Sequence, residues 1–163
     1  MTPTEKLLVE LLRRSYQAVD GLWFTMVEQA HDFDHALELD RRVWEILAKI
    51  QARKARELLA SSGNTPEELA SCFGLKLTAD GHKFDVSVNP HEVLFTIRHC
   101  PWLALLRKSN RDHLALKVAQ TICPTEGRVW CSEFGALYSF QMPLMACSGA
   151  ELCEMHFIRR ERD

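Results

Sequence analysis

The residues of this chain best suited to chemistry are its six cysteines. Four of them stand where elements begin or end. Cys100 precedes Pro101-Trp102, Cys123 precedes Pro124, and Cys147 and Cys153 flank the turn Ser148-Gly149-Ala150 near the C-terminus. Thiolates suit zinc or an iron–sulfur cluster. If the fold brings these ends together, Cys100, Cys123, Cys147 and Cys153 form the ligand set. No Cys-x-x-Cys is present, so spacing alone favours buried thiols that act as small apolar groups. A second chemistry needs one thiol only. Cys100 lies beside His99 and just before a helix start, a place that lowers a thiol's pKa and readies it for nucleophilic attack. His99 or His156 would then be the general base. Against this, neighbours on a strand point to opposite faces.

Two smaller constellations compete with the thiols. Glu28 and His31 share a helical face, and His35 joins them if the helix runs on. That is half of a carboxylate-bridged di-iron motif, whose second half is missing. Asp32-Phe33-Asp34 breaks the helix, so capping is the better reading. Glu154 and His156 alternate with Cys153 and Met155 on the last strand. With His91 or His99 they make a mixed nitrogen and oxygen site, or simply the polar face of an exposed strand. Trp23, Trp44, Trp102 and Trp130 fit a core or a pocket wall. Gly-rich phosphate loops, a nucleophile elbow and His-Glu-x-x-His are absent from the sequence, which disfavours nucleotide hydrolysis, α/β-hydrolase chemistry and zincin proteolysis.

Helices must position the first part of the chain. Thr2-Pro3-Thr4-Glu5 reads as a helix start with Thr2 as N-cap. Apolar residues at Leu8, Leu11, Leu12, Tyr16, Val19, Trp23 and Met26 keep helical spacing, with a bend or restart expected at Gly21. Asp32 or Asp34 caps a second helix running from about His35 to Ala60, ended by Gly63 as a left-handed cap. Thr65-Pro66-Glu67-Glu68 is a capping box for a short helix that stops at Gly74.

The period then changes to two. Phe84, Val86 and Val88 form a strand, with Leu75 and Leu77 as its expected hairpin partner. A turn at Asn89–Glu92 leads to a strand at Val93, Phe95 and Ile97. A short helix spans Trp102–Lys108, and another ends at Cys123-Pro124. Strands follow at 137–146 and 152–159. Helices first, then at least four strands, argue for an α+β fold: an antiparallel sheet of about four strands covered by helices. At 163 residues the chain reads as a single domain over 1–163, helical over 1–74 and α+β with the cysteine motifs over 75–163.

The apolar fraction of 47% and charged fraction of 26% are those of an ordinary globular protein. Net charge is −2, and Arg53-Lys54-Ala55-Arg56 is interleaved with acids, so no nucleic-acid partner is expected. No apolar run approaches the roughly 18 residues that cross a bilayer, and no signal peptide opens the sequence. The expectation is a cytoplasmic chain, not bound to membrane, with reduced thiols and a small-molecule ligand or substrate. The amphipathic N-terminal helices are a ready surface for a homodimer.

The arrangement His99-Cys-Pro-Trp102, Ile122-Cys123 and Cys147-Ser-Gly-Ala-Glu-Leu-Cys-Glu-Met-His-Phe157 resembles the C-terminal half of the L-2-amino-thiazoline-4-carboxylic acid hydrolase family. It is also similar to a related group of prokaryotic domains of unknown function. The ending resembles, more distantly, 4-vinyl reductase domains. Asp20-Gly-Leu-Trp-Phe24 and Asp40–Trp44 resemble the unknown-function group more than the hydrolase. Met155 stands where the family tends to have Phe, and the turn is Ser-Gly-Ala rather than Gly-Asp. The resemblance implies an α+β fold and assigns Cys100, Cys123, Cys147 and Cys153 to the motif positions. It implies two activities: a binding or sensor-type domain with a cysteine-lined site for a metal, cluster or small ligand, or hydrolysis of a cyclic amidine C–N bond.

Overall fold

The computed structural model describes residues 4–160. The chain runs α1 (Glu5–Ala30), α2 (Phe33–Leu58), α3 (Pro66–Asp80), β1 (Lys83–Asn89), β2 (Glu92–His99), α4 (Pro101–Lys108), α5 (Ala115–Glu133), β3 (Tyr138–Leu144) and β4 (Cys153–Arg159). Single 3₁₀ turns lie at Asp112–Leu114 and Ala146–Ser148. The fold is α+β, with a four-stranded antiparallel sheet in the order β1-β2-β4-β3.

Strand alternation aims one face of the sheet at the helices. Val93, Phe95 and Ile97 on β2 pair with Phe157, Met155 and Cys153 on β4. All six are buried. They meet Phe73 from α3, whose ring packs edge-on against Phe95, Phe157 and Trp130 of α5. A second, smaller cluster of Leu37, Trp44 and Ile122, with Tyr16 and Trp102 against it, joins α1, α2, α4 and α5.

Thr2, the expected first cap, lies outside the described residues. Thr4 caps α1 by accepting the Leu7 N–H. The helix then passes Gly21 unbroken. Asp32 caps α2 by accepting the His35 N–H at 2.8 Å. Gly63 is not a left-handed cap; that conformation falls at Ala60, φ 51°. The Thr65/Glu68 capping box is formed.

Two helices run further than their breakers suggest. α3 continues through Gly74 to Asp80, so Leu75 and Leu77 are helical and not a hairpin strand. Burial of Leu69, Phe73 and Leu77 outweighs the roughly 1 kcal/mol that one glycine costs a helix. α5 continues through Pro124, where the helix is expected to end, to Glu133. Proline costs a helix interior about 3 kcal/mol. The cost is met by packing on both sides, with Ala115, Ala119 and Ile122 buried before the proline and Trp130 and Cys131 after it. Gly127 lets α5 approach β3, because a Cβ there would stand 2.3 Å from the Phe140 ring.

Candidate functional site: a thiol-lined pocket

β2 ends at His99, and Cys100 becomes the N-cap of α4. Pro101 at the first helical position fixes the turn. The last strand begins at Cys153, beside Ile97 on the neighbouring strand. The 3₁₀ turn carrying Cys147 folds over this end of the sheet, and Gly149 closes it at φ 97°, a conformation that favours glycine. A pocket of about 110 Å³ lies here. Its wall includes His99, Cys100, Arg107, Glu151 and Cys153.

The four motif cysteines therefore come to one end of the sheet. Cys100 is close enough to Cys147 and Cys153 for their charges to act on it, and Cys123 feels both Cys100 and Cys153. Cys72 and Cys131 are plain core. A hydrogen-bond donor reaches one of the sulfurs. The Ala146 N–H donates to Cys153 Sγ at 3.2 Å. The Leu103 and Trp102 amides at the start of α4 lie near Cys100, but its side chain makes no cap hydrogen bond.

The expected lowering of the Cys100 pKa is not found. Burial pushes this thiol up to about 11, and the two backbone amides only partly offset it. Cys123 is raised further, first by burial and then by Cys100. Cys147 and Cys153 are raised by burial as well. At neutral pH these groups are thiols, and the pocket is soft and uncharged at its sulfurs.

Donor chemistry here suits zinc or an iron–sulfur cluster. Among the described residues, however, no three His, Cys, Asp or Glu side chains stand in a geometry that could hold a metal ion. As they lie, Cys100 and Cys153 line the pocket, while Cys123 and Cys147 stand outside its wall.

His99 lines the pocket. His156 does not join it. On β4 it alternates with the buried Cys153, Met155 and Phe157, so it faces the other side of the sheet. There its Nδ1 lies 2.6 Å from Glu92 Oε1 and its Nε2 3.3 Å from Glu154 Oε2. Burial lowers its pKa, but the two carboxylates outweigh burial and raise it. Of the other histidine constellation, Glu28 pairs with Arg111 at 2.6 Å, and His31 stacks on His35 at 4.6 Å.

A family model matches residues 4–147. The chain belongs to that family, a family of unknown function (DUF6125). Among curated proteins, none matches the chain. The DUF6125 span includes α1 to α5, β3 and three motif thiols, Cys100, Cys123 and Cys147. Cys153 and His156 lie beyond it.

Sequence reading missed a second polar group in this DUF6125 chain. Lys76 of α3 is buried with its Nζ 3.1 Å from Asp80 Oδ2 and 2.5 Å from Glu126 Oε1. Burial alone would strip its proton, but Glu126 and Asp80 outweigh burial and hold it charged. Burial raises Glu126. The Gln17 side chain donates to the Asp80 carbonyl at 2.9 Å. Nearby, Asp20 is raised to about 6 and Asp40 to about 7, both chiefly by burial, with Trp44 beside them acting in the opposite direction. Cys123 feels Glu126 and Lys76 as well as Cys100, so it stands between this ionic core and the thiol pocket. The available signal was Lys76 inside the apolar run Leu75–Leu77, four residues before Asp80.

Proposed function

We propose that the chain is a small binding module of the sensor type, and that its ligand is a small carboxylate-bearing molecule held in the thiol pocket. The observation that carries this reading is the lining of the pocket. The Arg107 guanidinium and the His99 ring stand in its wall beside the uncharged sulfurs of Cys100 and Cys153, with Glu151 as the one acidic group among the described residues. A volume of about 110 Å³ suits a small metabolite, well below the roughly 300–1,000 Å³ of sites for drug-sized ligands. The sulfurs offer soft contacts to a sulfur or heteroaromatic group on the same molecule.

Hydrolysis of a cyclic amidine, as in the L-2-amino-thiazoline-4-carboxylic acid hydrolase family that the motif resembles, is the alternative. It needs Cys100 as a thiolate and a base beside it. A pKa of about 11 and a His156 on the opposite sheet face favour binding over turnover. Zinc or an iron–sulfur cluster would require the sulfurs to close in around it. The Ala146 N–H donated to Cys153 Sγ supports that variant.

The test is site-mapped alkylation of the native protein by mass spectrometry, with metal analysis on the same sample. Added L-2-amino-thiazoline-4-carboxylate or L-cysteine is expected to slow labelling of Cys100 and Cys153 and leave the substrate intact. Consumption of the cyclic acid would establish the hydrolase reading instead. Stoichiometric zinc or iron bound to the purified protein would replace the small molecule by a metal.

A further inference from the structure

α1 packs against the body of the protein with a mixed side, on which Tyr16 and Phe24 join the smaller core cluster beside several polar contacts. Arg13 donates to the Ala79 and Thr78 carbonyls at 2.7 and 3.0 Å. Gln17 reaches the Asp80 carbonyl, and Glu28 holds Arg111. Gln17 is the one buried residue of this 26-residue helix. The other side points away. Leu8, Leu12, Val19, Leu22 and Met26 are all exposed, as is Trp23 at 68%. A broad apolar stripe is thus left outside, where an amphipathic surface helix usually presents polar residues.

α2 repeats the pattern beside it. One face enters the core through Leu37, Trp44, Ala48 and Ala52, while Leu39, Val43, Ile46 and Ile50 are exposed on the other. The two helices are antiparallel: Phe24 meets Phe33 at 5.6 Å between ring centroids, and Tyr16 meets Trp44 at 6.5 Å. On each helix the exposed stripe precedes the edge that touches the other helix by about a quarter turn. In an antiparallel pair that places both stripes on the same outer side.

The spacing of the stripes names the kind of partner. Leu8, Leu12, Ser15, Val19, Leu22 and Met26 step by four and three in alternation, as do Leu39, Val43, Ile46 and Ile50. That is the repeat of a seam packed against other helices. The charges beside it are already paired within the chain: Arg14 with Glu10, Arg42 with Glu38 and Arg53 with Glu133. An amphipathic helix that binds an anionic membrane carries many uncompensated Lys and Arg on its polar face. Here most are paired, and among the described residues Lys6 and Lys49 are the exposed lysines of α1 and α2 outside a salt bridge. The exposed side chains amount to apolar area on the order of 1,000 Å² per copy, more than the roughly 800 Å² each partner contributes to a standard stable interface.

We infer that the exposed stripes of α1 and α2 are the interface of a two-fold homodimer, in which two helix pairs stack into a four-helix layer. A second copy supplies the same heptad seam and the same neutral rim, so the surface complements itself. The inference is independent of the ligand held by the thiol pocket.

Sedimentation of the full chain tests it. The wild type is expected to be a dimer at micromolar concentration. Leu12→Glu with Ile46→Glu should weaken the dimer by about a hundredfold or more, since two charges per copy would be buried unpaired. Circular dichroism should stay unchanged, because both positions are exposed. The milder Leu12→Ala with Ile46→Ala should weaken it about tenfold without adding charge, which keeps the test open if the charged variant misfolds. A monomeric wild type, or a dimer indifferent to both variants, overturns the inference. So does a monomer that binds vesicles of phosphatidylserine and phosphatidylcholine through these residues.

Discussion

The Lys76 ammonium lies 2.5 Å from the Glu126 carboxylate, with both side chains closed off from water. Asp80 completes the group at 3.1 Å. Removing the cation leaves two buried carboxylates without a counter-charge, and breaking a buried pair this way costs about 3–5 kcal/mol. Lys76→Met should therefore lower unfolding stability by that amount in urea titration. Lys76→Met with Glu126→Leu should recover at least half of it, because the second change removes one stranded charge. Equal stability of the single variant and the wild type would show that the pair is not sealed from solvent.

Asp20 and Asp40 make stability depend on pH in an unusual direction. Their folded pKa values, about 6 and about 7, stand above the ordinary carboxylate value. Between the ordinary value and these, the folded chain binds more protons than the unfolded one. Stability from these groups is therefore fully present in acid and is lost as pH rises through about 7. Melting temperature should rise from pH 7.5 to pH 5.5 in wild type (roughly the window set by these carboxyls), and Asp40→Asn should flatten most of that rise. A wild type less stable at the lower pH would contradict the burial of the pair.

The antiparallel strands and the caps at Asp32 and Thr65 were legible in the sequence because each is a local signal: a period of two, or a capping side chain three residues before its donor. The continuation of α3 through Gly74 and of α5 through Pro124 was not legible. Those breakers are outweighed by contacts with residues far away in the chain, such as the Phe84 and Phe95 rings beside Gly74. Cys100 and Cys153 stand at element ends as expected, whereas Cys123 lies inside α5 and not at a helix end; whether the four would meet was left open by the sequence. Their raised pKa values were not legible, because burial depends on the packing of α4 and α5 over the sheet. The role of His156 was misplaced for a simpler reason: strand alternation already set it opposite Cys153.

Gly127 is a packing position rather than a turn. Its missing Cβ leaves room for Phe140, whose ring carbons would stand 2.3 to 2.5 Å from an added methyl. Gly127→Ala must push β3 away from α5, at an expected cost of about 1–3 kcal/mol for overpacking. Thermal unfolding of the variant checks this. Gly127→Ala with Phe140→Leu should recover part of the loss, and an unchanged melting temperature for Gly127→Ala would show that the two elements do not meet this closely.

Cys100 should react slowly with iodoacetamide at pH 7.5 and speed up steadily toward its pKa of about 11. Site-resolved labelling rates measure this directly. Cys147, more open and beside Arg107, should label ahead of it. Rapid labelling of Cys100 at neutral pH would mean a thiolate, and would move the balance toward the hydrolase chemistry.

The central claim is that the pocket between Cys100, Cys153 and Arg107 holds a small carboxylate-bearing molecule. Calorimetric titration of the wild type and of Arg107→Gln with L-2-amino-thiazoline-4-carboxylate and with L-cysteine tests it most directly. The account predicts saturable one-site binding of at least one of these acids, weakened about tenfold or more when the guanidinium is removed. Absence of binding by both, or binding indifferent to Arg107, would contradict it.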